Sequence, residues 1–206
     1  MIGPIQNPRQ MNRLLQVGML QENEHSCSVA SIAMLVNAAR GLSNTFPFDE
    51  PITQRQLLET VGNPSWQAAV GSGGDGVELD DMAGLVRQSL SAYGISRLEI
   101  EVVHVDRITG DIRSKVRREL IETAHSPARF IIANFLQGIY THDPAATVGH
   151  YAPVYAFDPQ GRGALILDPD PRGYQPYWVN EDRFLNGMAT RDDSSGLSRG
   201  YISVRL

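Results

Sequence analysis

One cysteine in 206 residues excludes an intrachain disulfide, and no apolar run approaches the roughly 18 residues of a membrane-spanning helix. The first twenty residues lack the charged, apolar and small-residue order of a signal peptide. An excess of basic residues is also missing. A net charge of −5 argues against a nucleic-acid partner or an anionic membrane surface. There is no internal repeat and no low-complexity tract. The glycine-rich stretch Gly71-Ser-Gly-Gly-Asp-Gly76 follows no strand and lacks the Gly-Lys-Ser/Thr ending of a phosphate-binding loop, so it reads as a plain loop. A cytoplasmic location is the default expectation, with the periplasm as the alternative if an export signal was removed before residue 1.

What is present is ordinary globular material, 42% apolar and 20% charged, enough for a full core without a metal or disulfide staple. Helical spacing marks a lead-in over 10–19, an apolar helix from Ser28 to Arg40 closing at Gly41, and further helices over 53–61 and 78–93. Residues 42–51 and 62–76 read as loops. Beyond residue 96 the pattern changes to strands, over 98–105, 128–136, 151–157, 164–167, 177–179 and 200–204, with helices over 111–124 and 181–188. The expectation is an α+β protein, a helical lobe of about residues 1–95 packed on a mostly antiparallel lobe of about 96–206.

Cys27 stands where the polar stretch 21–26 gives way to the apolar helix. A sulfur there meets unpaired backbone N–H groups and the positive end of the helix dipole, both of which favour a thiolate. Free cysteine is equally at home as a small buried hydrophobe, so position alone does not make it a nucleophile. A nucleophilic thiol needs a base, and the base needs a third group to hold its tautomer. Of the five histidines, His25 shares the tight turn of Cys27, His104 falls within a strand, and His125 and His142 fall in polar loops; these read as surface or core residues. His150 opens a strand. The turn Pro159-Gln-Gly-Arg-Gly163 then returns the chain towards Asp168, with His150, Ala152, Val154 and Ala156 on one face and Ala164, Ile166 and Asp168 matching them. Asp168 also begins a run rich in turn formers, which leaves a turn role equally open. Gln21, six residues before the cysteine, offers a side-chain amide for an oxyanion.

These residues resemble the phytochelatin synthase family, within the papain-like cysteine peptidase superfamily. The resemblance rests on Gln21-x5-Cys27 with Val29-Ala-Ser and Leu35-Val-Asn37-Ala, on Gly76-Val-Glu-Leu-Asp-Asp81, and on Gly149-His150-Tyr-Ala-Pro153. It continues through Asp168 with Tyr174, Pro176, Trp178 and Val179, and through Met188-Ala-Thr190-Arg-Asp192, Ser195-Gly196 and Arg199-Gly200-Tyr201. It implies a papain-like fold and cleavage of the Cys–Gly amide of glutathione through a γ-glutamylcysteinyl thioester on Cys27. The acyl group then passes to water or to a second glutathione, forming phytochelatin.

The same resemblance implies His150 as base and then acid, Asp168 as orienting carboxylate and Gln21 as oxyanion donor. Asp192 and Arg199 would recognise the ammonium and carboxylate of the γ-glutamyl end, with Gly149 and Arg172 as further substrate contacts. Arg172 stands four residues after Asp168, whereas the family's arginine stands three after. Ser28 replaces the glycine that usually follows the cysteine, a change that would either crowd the thiol or alter the approach of the acceptor. No resident metal or cofactor is implied; cadmium or zinc glutathione thiolates enter only as co-substrates, and a homodimer is compatible with the reading. The alternatives are a papain-like endopeptidase or deamidase acting on proteins, and a catalytically silent binding module of the same fold.

Overall fold

A computed structural model describes residues 17–42, 50–172 and 176–206. In chain order the elements are α1 (Cys27–Arg40), α2 (Gln54–Val61), α3 (Pro64–Ala69), α4 (Leu79–Ala92), β1 (Glu99–His104), α5 (Gly110–His125), β2 (Arg129–Leu136), α6 (Gln137–Thr141), β3 (Gly149–Asp158), β4 (Gly163–Ile166), β5 (Tyr177–Val179), α7 (Glu181–Met188) and β6 (Gly200–Arg205). Mixed helix and antiparallel sheet is therefore the architecture. The lead-in expected over 10–19 lies mostly outside the described residues, as do most of the 42–51 loop and Tyr174.

Helix α1 is apolar on nearly every side, and every residue in it except Arg40 is buried. Its polar residues are tethers. Ser31 Oγ donates to the Tyr151 carbonyl at 3.1 Å, fixing the helix against β3. Asn37 exchanges two hydrogen bonds with the backbone of Ile52, satisfying a buried amide that would otherwise cost about 1–3 kcal/mol.

The six-stranded sheet has the order β1-β6-β2-β3-β4-β5, every pairing antiparallel. One face buries Phe130, Ile132, Tyr151, Ile202 and Val204 beneath α1 and α4. The other buries Ile131, Ala133, Phe135, Val154 and Tyr201 beneath α5 and α7. Alternation along β2 and β6 produces this division, since successive side chains point to opposite faces. The last strand, β6, inserts between β1 and β2, which brings its leading residues to the same end of the sheet as His150. Gly200 is required there: a Cβ would lie 1.8 Å from the Val103 carbonyl oxygen.

Three expectations change. The stretch 62–76 is not wholly loop, because Asn63 caps α3 by accepting from the Trp66 N–H and Pro64 starts that helix. Residues 137–141 form a further short helix. The face assigned to Ala156 is also corrected. A register shift between Val154 and Ala156 inserts an extra residue, so Ala156 turns to the α1 side and Phe157 takes the opposite face. Among the described residues no helix is long and apolar enough to cross a membrane.

Candidate active site

Cys27 is the first residue of α1, with its own fractional exposure at 9%. Ser26 precedes it without capping the helix by its side chain. Its hydroxyl donates instead to the Asn23 carbonyl and accepts from the Asn23 N–H. The first-turn N–H groups beside the thiol therefore keep no side-chain cap, which suits a site where negative charge develops.

His150 faces this thiol from β3. Its Nε2 lies 2.7 Å from Asp168 Oδ1, and both side chains are almost wholly buried. Nδ1 is the nitrogen left for the Cys27 side chain, with which the ring also interacts. Phe135 meets the imidazole edge-on, with ring centroids 5.6 Å apart. Burial opposes a charge on this ring, but Asp168 and then Cys27 outweigh it and hold the His150 pKa up at about 10. An imidazolium is favoured at neutral pH.

Asp168 is held on every side. Besides His150, its Oδ1 accepts the Asp170 N–H at 2.9 Å, and its Oδ2 accepts the Tyr177 hydroxyl at 2.7 Å. The following turn is braced by a second carboxylate. Asp170 is buried and accepts from the Arg172 side chain and from Gln137 Nε2, and Arg172 also donates to Gln137 Oε1 at 2.8 Å. Burial works against the Asp170 charge, yet these donors, Arg172 foremost, hold its pKa at about 2. Arg172, expected at the substrate, is thus engaged in bracing the acid's own turn.

Gln21 reaches the same turn by its backbone, donating from N to the Pro169 carbonyl at 2.8 Å. Its Nε2 donates to the Asn23 carbonyl, while its buried Oε1 has no partner among the described residues. A half-turn of the amide would present Nε2 in that unfilled direction. Ser28 does not hang over the thiol unattached: its buried hydroxyl accepts from Trp66 Nε1 at 3.2 Å.

Asp192 and Arg199 belong to a hairpin leading into β6, closed by Asp192 N to Leu197 O and by Arg199 N to Thr190 O, both 2.8 Å. The Arg199 guanidinium packs against Gly149, where a Cβ would come within 2.8 Å of Nη2. It donates to the Arg191 carbonyl, lies a loose 3.8 Å from Asp192 Oδ1, and leaves its buried Nε without a partner among the described residues. Tyr151 links this group to the thiol. Its pKa is driven well up by burial and then by the charges of Cys27 and Asp192, with Arg199 pulling the other way.

Sequence reasoning missed Asn134, Gln137, Asp170 and Tyr177. Asn134 sits on β2 opposite both Tyr151 and Gly200, with its Nδ2 3.5 Å from the His150 carbonyl and its buried Oδ1 unpartnered among the described residues. One polar residue inside Phe-Ile-Ile-Ala-Asn-Phe-Leu was the available signal. Among the described residues no group of three His, Cys, Asp or Glu is placed to hold a metal ion.

A helix-borne thiol, a strand-borne imidazole and a turn-borne carboxylate define a thiol–imidazole–carboxylate protein on an α+β frame. The chain matches the phytochelatin synthase family over residues 6–201 and belongs to that family. It is also similar to glutathione gamma-glutamylcysteinyltransferase 1 of Triticum aestivum, 36% identical over 56 residues. That stretch is 27% of this chain and 11% of the wheat protein's length.

Proposed function

We propose that this chain is a cysteine-nucleophile acyltransferase acting on glutathione, with the helical and β-rich halves in a papain-like arrangement. Family membership and the wheat relative's name support the substrate class. The observation that carries the chemistry is His150 set between Cys27 and Asp168.

Cys27 Sγ, as the thiolate of an ion pair with His150, attacks the carbonyl carbon of the Cys–Gly amide. Charge gathers on the carbonyl oxygen. The Cys27 N–H and, once turned, the Gln21 amide are the donors for it. His150 gives its proton to the glycine nitrogen, the C–N bond breaks, and glycine leaves a γ-glutamylcysteinyl thioester on sulfur. His150, now neutral, removes a proton from water or from the amine of a second glutathione as that nucleophile attacks. The acyl group leaves, and the thiolate and imidazolium are restored. Asp168 holds the imidazole by Nε2 throughout and supports its charge.

Recognition falls to the hairpin. The unpartnered Arg199 Nε is a buried donor suited to the α-carboxylate, and Asp192 supplies the anion for the α-ammonium. An endopeptidase needs neither. Cadmium or zinc thiolates of glutathione would enter as substrate, not as a resident cofactor.

Incubation with glutathione, following free glycine and γ-glutamylcysteine by mass spectrometry with and without cadmium or zinc, tests the reading. Glycine release that disappears in Cys27→Ala is expected. Intact Cys27 with no glycine under any of these conditions refutes it, and release without longer oligomers assigns hydrolysis over transfer.

A further inference from the structure

His104 stands outside the chemistry but touches the hairpin that carries Asp192 and Arg199. It ends β1 opposite Gly200, with Nδ1 2.5 Å from the Ser198 carbonyl oxygen and Nε2 3.1 Å from Asp80 Oδ1. A carbonyl and a carboxylate only accept. A neutral imidazole has one N–H and can serve one of them; an imidazolium has two and serves both. The contact thus joins the first turn of α4 to the residue immediately before Arg199. Beside it, Ser198 Oγ donates to Asp106 Oδ1 at 2.7 Å, and Val105 N donates to the Arg199 carbonyl at 3.0 Å.

We propose that protonated His104 is a positioning residue for the recognition hairpin, clamping Ser198 to α4 so that Arg199 and Asp192 meet the γ-glutamyl end in register, and that loss of its proton loosens substrate binding. The assignment rests on the glutathione reading of the site. The charged groups facing the ring are Asp80 from α4 and Asp106 from the turn after β1, while the hairpin offers only the Ser198 carbonyl. The Arg199 guanidinium on that hairpin is turned to Gly149 and Asp192 instead. Burial opposes the charge on His104, but the Ser198 carbonyl and Asp80 outweigh it and raise its pKa above the ordinary histidine value. The clamp is therefore complete below that ordinary value and is lost as pH rises through the raised one.

The test measures KM and kcat for glycine release between about pH 6 and pH 9 in the wild type, His104→Gln, Asp80→Ala and the double variant. Each single variant should raise KM roughly threefold to tenfold at the acid end with kcat little changed, and the excess should vanish at the alkaline end. The double variant should be no worse than either single one. A KM ratio of one throughout, or a ratio constant with pH, overturns the proposal.

A second readout needs no substrate. Hydrogen exchange at the Asp192 and Arg199 amides should speed up with pH in the wild type beyond the intrinsic rate, and Asp80→Ala should show that loss of protection already at low pH. Unchanged protection overturns the clamp even if glycine is released; altered protection without any glycine release refutes the glutathione reading alone.

Discussion

Two sides of one site are built in opposite ways. On the acid side, Asp168 accepts from His150, Tyr177 and the Asp170 N–H, and the turn beyond it is closed by Asp170, Arg172 and Gln137. On the other side, towards the Arg199 hairpin and the Cys27 loop, Gln21 Oε1, Asn134 Oδ1 and Arg199 Nε are buried with no partner among the described residues. Each orphan of that kind costs about 1–3 kcal/mol. On the proposed reading, three hydrogen bonds to Asp168 fix the geometry of proton transfer, and the open polar atoms are left for the substrate to complete.

Asp168→Asn attacks the saturated side and should have the largest effect. Glycine release should fall by roughly 10²–10⁴-fold in kcat with the fold intact by circular dichroism, because an amide cannot support the imidazolium. A fall of less than about tenfold would mean that the carboxylate does no more than hold the turn.

Arg199→Gln attacks the open side. It should raise KM for glutathione by roughly 10- to 100-fold while iodoacetamide still alkylates Cys27 at the wild-type rate. Equal loss in both assays would make Arg199 a structural residue and erase the contrast between the two sides.

The smallest effect belongs to Asp170→Asn, which loosens the saturated side without touching the imidazole. Its carboxyl, held at about 2 in the folded chain, contributes stability at neutral pH that is lost as pH falls through that value. The variant should unfold in urea about 1–2 kcal/mol more easily near pH 5, and its deficit should shrink towards pH 2. A deficit independent of pH would put the effect in packing and not in the charge.

Much of the site was legible because its signals are local. The switch from polar to apolar at Cys27, the strand-opening His150 and the returning hairpin to Asp168 are visible in short windows; the structure joins His150 to Asp168 by a hydrogen bond and brings Cys27 within interaction of the same ring. Where alternation was extended too far, the bulge after Val154 broke it, and nothing in Tyr-Ala-Phe announces an extra residue. Helix α3 escaped for a different reason. Its Asn63-Pro64 start is a readable cap, but the glycines of 71–76 dominated the window. Gln137 meets the Asp168 turn only through folding of a distant segment, whereas Asp170 and Tyr177 stand two and nine residues after Asp168 and were hidden by the turn formers around them. His104 is the strand residue its alternation suggests, but only the tertiary fold brings Ser198 and Asp80 to its two nitrogens.

The bond from Trp66 to Ser28 gives the protein an optical reporter. Trp66 and Trp178 are its two indoles. Trp178 lies on β5, with the Arg162 guanidinium 4.0 Å from its ring centroid. In a Trp178→Phe background the remaining emission comes from a buried ring whose N–H is bonded to the residue next to the nucleophile. On the proposed reading, a stopped-flow trace of that emission after mixing with glutathione should change as the thioester on Cys27 forms and decays in the first turnover, without a label.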